Sequence, residues 1–436
     1  MTVIDLGELA EPTDPPPPRR RRPAGNRGLP AALVALATLL TLAGAAPPPA
    51  RVHAAVPAGL GSDVFLAEGQ IFAVTPLPGV TDGRQELTGY RWPERATVRP
   101  QRLTPLWRVP VPTGRQIVAV QPVSADAVLV ATLDRFTTTG SADTHTLLLD
   151  PHTGQELWRA PGIATIDGSG RALVRTWPVD EPLVLRAVEL ASDRELWSRS
   201  MPAAWVDYHE RDGMVDAIVV STVVGDIEVL DPESGKARHR LPAPDDLVGY
   251  QQASIVGDLL LVVRNSRTVT AYDLDGLTRR WQSVVPLADY VTHCGALLCA
   301  RGNRGGGQLL DPETGVVRWS SPEDVDVMLA GDARLLGVDR GTGDAGKVVA
   351  IDPETGQAST DYGTWHLVSH DGYDRHLFGV QQRPDVGLLL ARLDPAQARP
   401  RISDVLFGAT GNCQHRYGLI ACRRQDGDIG VWRLPD

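Results

Sequence analysis

Apolar residues recur along most of the chain in short runs or in alternation with polar residues, and turn-forming residues separate the runs. Residues 247–286 show this pattern, with the strand-length segments VGYQQASIVG, DLLLVVRNSR, TVTAYDLDGL and TRRWQSVVP divided by Gly-Asp, Asn-Ser and Asp-Gly. Such runs predict β-strands, and such turn pairs predict hairpins. The pattern therefore predicts a four-stranded antiparallel meander.

A related phrase recurs along the chain, as LLDPETGVVRWSS, LLLDPHTGQELWRA, VLDPESGKARHRL, AYDLDGLTRRWQS and AIDPETGQASTDY. An acidic residue opens each turn, and in four cases a tryptophan follows eight residues later: Asp150 with Trp158, Glu189 with Trp197, Asp273 with Trp281, and Asp311 with Trp319. The same column holds Asp231, Asp352 and Asp394 without the tryptophan. Successive members are 38 to 42 residues apart. A constant period predicts repeated units that stack on one another to bury a core.

The Asp-Pro-x-Thr-Gly segment has a structural explanation. Proline presets the first turn angle, the aspartate carboxylate accepts backbone N–H hydrogen bonds, and glycine adopts the left-handed conformation that closes the turn. The segment therefore predicts the hairpin between the third and fourth strands of each unit.

Two of these phrases, LLLDPHTGQELWRA and LLDPETGVVRWSS, resemble the repeat of pyrroloquinoline-quinone-type β-propellers. The resemblance covers residues 63–436 and is strongest from Asp150 to Asp352. It implies an all-β, eight-bladed β-propeller of four-stranded antiparallel blades. It also implies that a tryptophan docks between adjacent blades, a core role assigned to Trp107, Trp158, Trp197, Trp281 and Trp319. The seventh and eighth units lack this tryptophan, so other residues must make the contact there or the docking is looser.

The blade boundaries follow from the repeat. Units are predicted at 63–110 (with an insertion around PERATVRPQR), 115–160, 162–201, 203–243, 247–286, 288–321, 324–362 and 365–403, with a partial unit at 404–436. The chain ends in DIGVWRLPD, which has the pattern of a third strand. We therefore predict eight blades, with one end unit shared between the termini and an N-terminal strand completing the ring.

The N-terminal region differs in composition from the rest. Residues 1–28 are polar and proline-rich and contain four consecutive arginines at 19–22, whereas residues 29–46 are uncharged. A helix of that length covers ~27 Å, close to the ~30 Å of a bilayer core. We predict a cytoplasmic tail at 1–28, a transmembrane anchor at 29–46, a Pro/Ala linker at 47–62 and an extracellular propeller at 63–436. The alternative is a signal segment that is cleaved, which would leave a secreted protein.

Charge and composition limit the kinds of molecule that the protein can bind. The net charge is −10, and residues 51–436 hold 38 of the 43 basic and 49 of the 53 acidic residues, a net −11. This balance argues against nucleic acid and against the general binding of anionic lipid headgroups. Only Lys236 and Lys347 are lysines. The arginine bias is typical of GC-rich coding and favours a bacterial, actinobacterial source.

Four cysteines form two close pairs, Cys294 with Cys299 and Cys413 with Cys422. No CxxC spacing occurs, so the common zinc and thioredoxin motifs are absent. Each pair brackets a β-turn, and we predict two hairpin disulfides in an oxidising compartment. The alternative is four free buried thiols.

No motif predicts a catalytic, cofactor-binding or metal-ligating residue, and we predict neither an enzyme nor a cofactor. GTGDAGK at 341–347 and GNRGGG at 302–307 precede strands, whereas a phosphate-binding loop must open a helix. His366 and His370 are ~13 Å apart along a strand, too far to bind one metal, although a fold-back with His376 remains an alternative. The DLDG at Asp273 lacks the downstream ligands of a calcium loop.

Two functions remain. The first is a non-catalytic protein-interaction platform in the cell envelope, whose partner is an unidentified envelope protein or cell-wall component. The alternative is a module that binds a glycan or small ligand at a channel mouth. A quinone-dependent dehydrogenase, an activity found among proteins with this repeat, is least favoured because the sequence has no adjacent Cys-Cys and no matching cofactor motif. A polar, aromatic-lined mouth favours a glycan, and a broad apolar patch favours a protein.

Overall fold

The structure, a computed structural model, describes residues 51–77, 83–134, 144–177, 181–245, 247, 251–302, 306–330, 334–339, 345–370 and 376–434. These residues form 37 strands and no helix, which confirms the all-β prediction. No helix within the described ranges is long and apolar enough to cross a membrane. The predicted tail at 1–28 and anchor at 29–46 lie outside the described residues.

The strands pair into eight hydrogen-bonded sheets, six of them four-stranded. The seven-stranded sheet contains two four-stranded units that share one long strand, Ala358–Leu367. The residues of this strand up to Trp365 pair with the strand that precedes it in the chain, whereas His366 and Leu367 pair with a strand that follows it. Across the described residues the pairing therefore gives nine four-stranded units, and the predicted count of eight blades is not confirmed.

Each unit is an antiparallel meander numbered here in chain order. The first three units contain β2 (Asp63–Ala67), β3 (Gln70–Pro76), β4 (Gln85–Arg91) and β6 (Trp107–Pro110); β7 (Arg115–Ser124), β8 (Ala127–Asp134), β9 (Thr144–Leu149) and β10 (Glu156–Pro161); and β11 (Ile163–Ile166), β12 (Arg171–Thr176), β13 (Leu183–Glu189) and β14 (Arg194–Met201). The fourth to sixth contain β15 (Ala203–Arg211), β16 (Met214–Thr222), β17 (Ile227–Leu230) and β18 (Ala237–Leu241); β19 (Gln251–Val256), β20 (Leu259–Arg264), β21 (Thr268–Asp273) and β22 (Arg279–Val284); and β23 (Tyr290–Cys294), β24 (Leu297–Arg301), β25 (Gly307–Leu310) and β26 (Val317–Ser321).

The last three units include both ends of the described chain. The seventh contains β27 (Val325–Ala330), β28 (Arg334–Asp339), β29 (Gly346–Ile351) and β30 (Ala358–Leu367). The eighth contains the end of β30 with β32 (Leu377–Arg383), β33 (Gly387–Leu393) and β34 (Arg401–Leu406). The ninth contains β35 (Ala409–Arg416), β36 (Leu419–Arg424), β37 (Ile429–Arg433) and β1 (His53–Val56), with the short strands β31 (Ser369–His370) and β5 (Gln101–Arg102) at its two edges.

The ninth unit is completed by the N-terminal strand, as the sequence predicted. β1, which lies within the predicted linker, pairs antiparallel with β37, so that His53 faces Trp432 and Val56 faces Ile429. This strand supplies the fourth member of the partial unit at 404–436. The predicted count was low because that unit is a full additional one, built from two distant parts of the chain.

The insertion in the first unit holds this closing strand in place. Its β5 pairs in parallel with β1, and Thr97 forms a backbone bridge with Arg51. The Leu103 N–H donates to the Ala55 carbonyl, and Leu103 packs on the core between the last and first units. The insertion therefore holds the closing strand β1 in place between the last unit and the first.

Nine hydrophobic clusters of the described residues lie between consecutive units. In one cluster Leu261 and Trp281 of the fifth unit pack on Leu298 of the sixth. In another, Ile71 of the first unit packs on Val431 of the ninth. Because the clusters run from each unit to the next and from the last to the first, the sheets form a closed ring.

The tryptophans dock between units, as predicted. The indole N–H of each donates to a group in the turn of the next unit: Trp107 to Pro151 O (2.7 Å), Trp158 to Asp193 Oδ1 (2.8 Å), Trp197 to Pro232 O (3.0 Å), Trp281 to Pro312 O (2.7 Å) and Trp319 to Pro353 O (2.9 Å). Where that turn contains the Gly of Asp-Pro-x-Thr/Ser-Gly, the ring lies against it, so a Cβ on Gly315 would be 2.3 Å from Trp281 Cε3. The recurring phrase therefore forms the turn on which the tryptophan of the preceding unit packs.

A different side chain makes the contact after the seventh unit. The Tyr362 hydroxyl lies 2.9 Å from the Asp394 carbonyl and 2.8 Å from the Gln397 carbonyl, in the turn of the eighth unit. The fourth unit has His239 in the tryptophan column, and the turn that follows it has Leu277 with a left-handed φ of 50° instead of glycine. A side chain also occupies this position in the third unit, where Asp193 has a φ of 52° and its carboxylate accepts from Trp158.

Both predicted disulfides are confirmed. Cys294 and Cys299 are bonded with Cα atoms 5.6 Å apart, and Cys413 and Cys422 with Cα atoms 4.2 Å apart.

Four of the aspartates that open these turns have a pKa below the usual value: Asp150, Asp231, Asp311 and Asp352. The Asp311 carboxylate accepts from the Glu313 and Thr314 N–H groups (3.1 and 3.0 Å) and lies 2.6 Å from Arg318 Nη2. The Arg318 hydrogen bond first, then the Thr314 hydroxyl, lower the pKa of Asp311 from 3.8 to about 2. A lowered folded-state pKa stabilises the fold above the unfolded pKa, and this contribution is lost as the pH falls from about 4 to about 2.

Replacing Asp311 with asparagine is expected to lower the free energy of unfolding by about 1 kcal/mol at neutral pH, because an exposed charge-assisted bond is lost. Urea unfolding followed at several pH values measures this, and the difference from the wild type should shrink between pH 4 and pH 2. Asp324→Asn, at another exposed carboxylate, is the control. An equal loss in the two variants at every pH would contradict the assignment.

Candidate functional site

The two ends of the ring carry different kinds of chain segment. In a four-stranded meander, the turn after the first strand and the turn after the third lie at one end, which we call the hairpin face. The turn after the second strand and the connections between units lie at the other end, which we call the connection face. Hydrogen bonds between neighbouring units join turns of the same class, as from Gly168 N to Gly213 O (2.8 Å) on the hairpin face.

Strongly exposed apolar side chains are concentrated on the connection face. Among the described residues, the large apolar side chains that are more than 60 % exposed are Leu60, Val223, Val224, Val284, Leu287 and Phe407, and all six lie on this face. Exposed large apolar residues grouped on one surface are typical of a site for another molecule. We therefore take this face as the candidate functional site.

The turn of the fourth unit presents two adjacent valines, Val223 and Val224. They are 67 % and 63 % exposed, although the backbone around them is fully held. Val223 N–H donates to Pro202 O (2.8 Å), Gly225 N–H to Thr222 O (3.0 Å) and Thr222 N–H to Asp226 O (2.8 Å). These valines are therefore presented outward on a fixed turn.

Hydrogen bonds and contacts join this turn to the next two connections. Leu247 packs on Gly225, where a Cβ would be 2.2 Å from its Cδ2. The Gln251 amide donates to Gly225 O (2.8 Å) and accepts from Arg264 Nε (2.9 Å).

Further along, in the fifth unit, the Ser266 hydroxyl lies 2.7 Å from Asp289 Oδ1 at the connection to the sixth unit. The exposed valines and the next apolar pair, Val284 and Leu287, therefore lie on one supported arc across units four to six. We call these four residues, with Trp205, the docking arc.

Leu287 has an unusual backbone. Its φ is 62°, a left-handed conformation that is costly for a residue with a branched side chain, and it is 65 % exposed. Glycine or asparagine would fit this position better. Strain of this kind is found mostly where the side chain has a role beyond the fold.

Trp205 adds an aromatic ring to the docking arc, and a cation–π pair of the third unit packs against its strand. Trp205 on β15 is 48 % exposed and pairs with Ser221, two residues before Val223. On the third unit, the Arg175 guanidinium is 5.4 Å from the centre of the Trp177 ring, and its Nη1 donates to Val206 O (3.2 Å). This pair fixes the third unit against the strand that carries Trp205.

Tyr208 lies on the same strand, between the third and fourth units. Burial raises the pKa of Tyr208 to about 12, and the nearby Arg175 opposes this rise without cancelling it. The hydroxyl therefore stays protonated at physiological pH, and no proton is exchanged there.

The Asp-Gly motif and the described parts of the two glycine-rich motifs lie in turns and strands. Residues 341–344 and 303–305 lie outside the described residues, and Lys347 is in β29 with its amine 3.0 Å from Asp361. Asp273 is in the repeat turn, 2.7 Å from Arg280.

The three histidines are spread over the eighth and ninth units, with His366 near the end of β30, His370 in β31 and His376 just before β32. Within the described ranges, no group of three His, Cys, Asp or Glu residues is placed to hold a metal ion.

The docking arc was not predicted from the sequence. The segment STVVGDIE contains a pattern that points to it, because two valines directly precede a Gly-Asp turn where polar residues are usual.

The comparisons with known proteins agree with the repeat. Residues 180–364 match the family model described as outer membrane protein assembly factor BamB. This segment runs from the second half of the third unit to the last strand of the seventh, and it confirms the resemblance to the pyrroloquinoline-quinone-type β-propeller repeat. None of the curated proteins matches the chain.

Solved structures of low identity also resemble it. BamB from Moraxella catarrhalis is 12 % identical, with 86 % of this chain and 97 % of that chain covered and a TM-score of 0.47. The computationally designed Ika8 protein is 13 % identical, with 73 % and 96 % covered and a TM-score of 0.47. The C-terminal WD40 domain of Sif2 is 10 % identical, with 89 % and 97 % covered and a TM-score of 0.47. The propeller architecture described here rests on strand pairing and on the cores between units.

Proposed function

We propose that this protein is a non-catalytic interaction platform of the cell envelope, anchored through residues 29–46, whose propeller binds a protein partner through the docking arc. The observation that carries the proposal is the grouping of the six most exposed large apolar side chains of the described residues on the connection face. The family match at residues 180–364 supports an envelope setting, because that model is described as an outer membrane assembly factor.

The chemistry of the arc favours a protein over a glycan. Val223, Val224, Val284 and Leu287 provide aliphatic surface with no hydrogen-bonding group, which suits the buried centre of a protein interface. Trp205 adds an aromatic anchor, a residue type that often dominates binding energy. Since residues 51–436 carry a net charge of −11, a partner with a basic rim would associate fastest.

The test replaces Val223 and Val224 with serine in the full chain. The protein is cross-linked in native membranes and purified through a C-terminal tag, and the recovered partner is quantified. Burying two valines contributes about 1.5–3 kcal/mol each, so their loss is expected to reduce recovery at least tenfold.

The control is the double variant Met214→Ser and Val316→Ser, which removes two exposed apolar side chains from turns of the hairpin face. Recovery with this variant should equal that of the wild type. Unchanged recovery after the Val223 and Val224 substitutions, or the same loss in both double variants, would refute the docking arc.

A further inference from the structure

A pocket opens on the hairpin face, on the opposite side of the ring from the docking arc. It has a volume of ≈ 380 Å³ and lies where the first, second and ninth units meet. Its polar lining comes mainly from the first unit, and its apolar lining from all three. The residues used below are Glu68, Gln70, Phe72, Arg91, His152 and Tyr417.

The pocket presents planar polar side chains of several kinds. Gln70 is 8 % exposed, and its Nε2 is 3.1 Å from Nδ1 of His152 in the next unit. This contact ties the Gln70 amide to the His152 imidazole across the boundary between the first and second units. Glu68 and Arg91 are exposed. The two carboxylate oxygens of Glu68 can accept hydrogen bonds, and the guanidinium group of Arg91 can donate them. Such groups suit vicinal hydroxyls, which donate and accept together.

Aromatic surface lines the same pocket. Phe72 is buried beneath it, and Tyr417 is 46 % exposed at the rim. The Arg416 guanidinium is 4.9 Å from the centre of the Tyr417 ring. An aromatic ring can pack against the C–H groups of a sugar while its hydroxyl remains in water.

Tyr417 is held in a conformation that the turn alone does not favour. Its φ is 53°, followed by Gly418 at 68°, a hairpin turn with both residues left-handed. The equivalent turn of the fourth unit has Asp212 and Gly213, the residue types that such turns prefer. An exposed tyrosine in a strained position at the rim of a pocket is a second sign of ligand binding.

We propose that this pocket binds one or two sugar residues at the end of a glycan. A volume of ≈ 380 Å³ lies at the small end of ligand pockets, which suits a ligand of this size. The mixture of amide, carboxylate, guanidinium and imidazole with an aromatic ring matches a ligand rich in hydroxyls, and Glu68 opposes a phosphate group. This site goes beyond the proposed platform, since it is on the other face of the ring and needs no protein partner.

The test titrates the detergent-solubilised full chain with maltose, cellobiose and N,N′-diacetylchitobiose, followed by saturation-transfer NMR and calorimetry. At least one disaccharide should bind, and Tyr417→Asn should weaken that binding at least tenfold. The midpoint of thermal unfolding of Tyr417→Asn should equal or exceed that of the wild type, because asparagine tolerates the left-handed turn. Loss of binding with retained stability separates a ligand contact from a structural role.

Asp212→Asn changes the equivalent position in the fourth unit and should leave binding unchanged. Absence of binding by all three disaccharides would overturn the proposal, as would wild-type affinity in Tyr417→Asn. Binding of trialanine in preference to the sugars would assign the pocket to peptides instead.

Discussion

Replacement of Val56 with aspartate is expected to open the ring and to lower the free energy of unfolding by about 4 kcal/mol or more. Val56 is fully buried at the end of β1, in the cluster that joins the last unit to the first. A carboxylate placed there would be buried without a partner, one of the few single changes with so large a cost. Among the described residues, β1 is the only N-terminal strand in the ninth unit's meander, so none of them provides a substitute strand there.

Urea unfolding of the full chain measures this effect. Leu60→Asp is the control, because Leu60 is four residues further along the same segment and is 87 % exposed. Its effect should stay within about 0.5 kcal/mol. Equal stability of the two variants would show that β1 does not close the ring.

Gly315→Ala is expected to have the second largest effect, a loss of about 3 kcal/mol. Gly315 has a φ of 69°, and a Cβ there would lie 2.3 Å from Trp281 Cε3 of the preceding unit. The left-handed backbone contributes about 1 kcal/mol of this loss. Displacement of the packed indole contributes about 2 kcal/mol more.

A matched control separates the two contributions. Gly69 has a φ of 70°, and no atom lies within 4 Å of the position that a Cβ would occupy, so Gly69→Ala should cost only the backbone share, about 1 kcal/mol. In the background of Trp281→Ala, Gly315→Ala should also fall to about that value, a coupling measurable by a double-mutant cycle. Equal losses at Gly315 and Gly69 would contradict docking of the indole on the turn.

Much of the fold could be predicted because the repeat encodes it locally. Four of the five recurring phrases contain their own proline, aspartate and glycine, and four tryptophans stand eight residues after the acidic residue that opens a turn. The number of units could not be predicted in this way, because no continuous stretch encodes the ninth. Its fourth strand is only His53–Val56, in a segment with the composition of a linker, and its pairing partner is at Ile429–Arg433.

The sequence pattern also did not reveal that a different residue replaces the docking tryptophan in the seventh unit. Tyr362 performs the tryptophan's role from a position two residues beyond the tryptophan column, in a strand whose pairing with β29 shifts register twice. A comparison by fixed spacing misses it, whereas the hydroxyl's contacts with Asp394 and Gln397 identify it directly.

The candidate site depends on which turns become neighbours, and this is not encoded locally. Val224 and Leu287 are 63 residues apart in the sequence, and each lies in a turn or connection. The order of the units around the ring makes them neighbours on the connection face. The strain at Leu287 is likewise visible only in its backbone angle.

The most direct test of the platform is photo-cross-linking in cells with a photoreactive amino acid placed at Leu287 on the connection face or at Val316 on the hairpin face. The account predicts a discrete protein adduct from position 287 and none from position 316. Adducts of equal yield from both positions, or an adduct from position 316 alone, would contradict the docking arc as the surface that binds the partner.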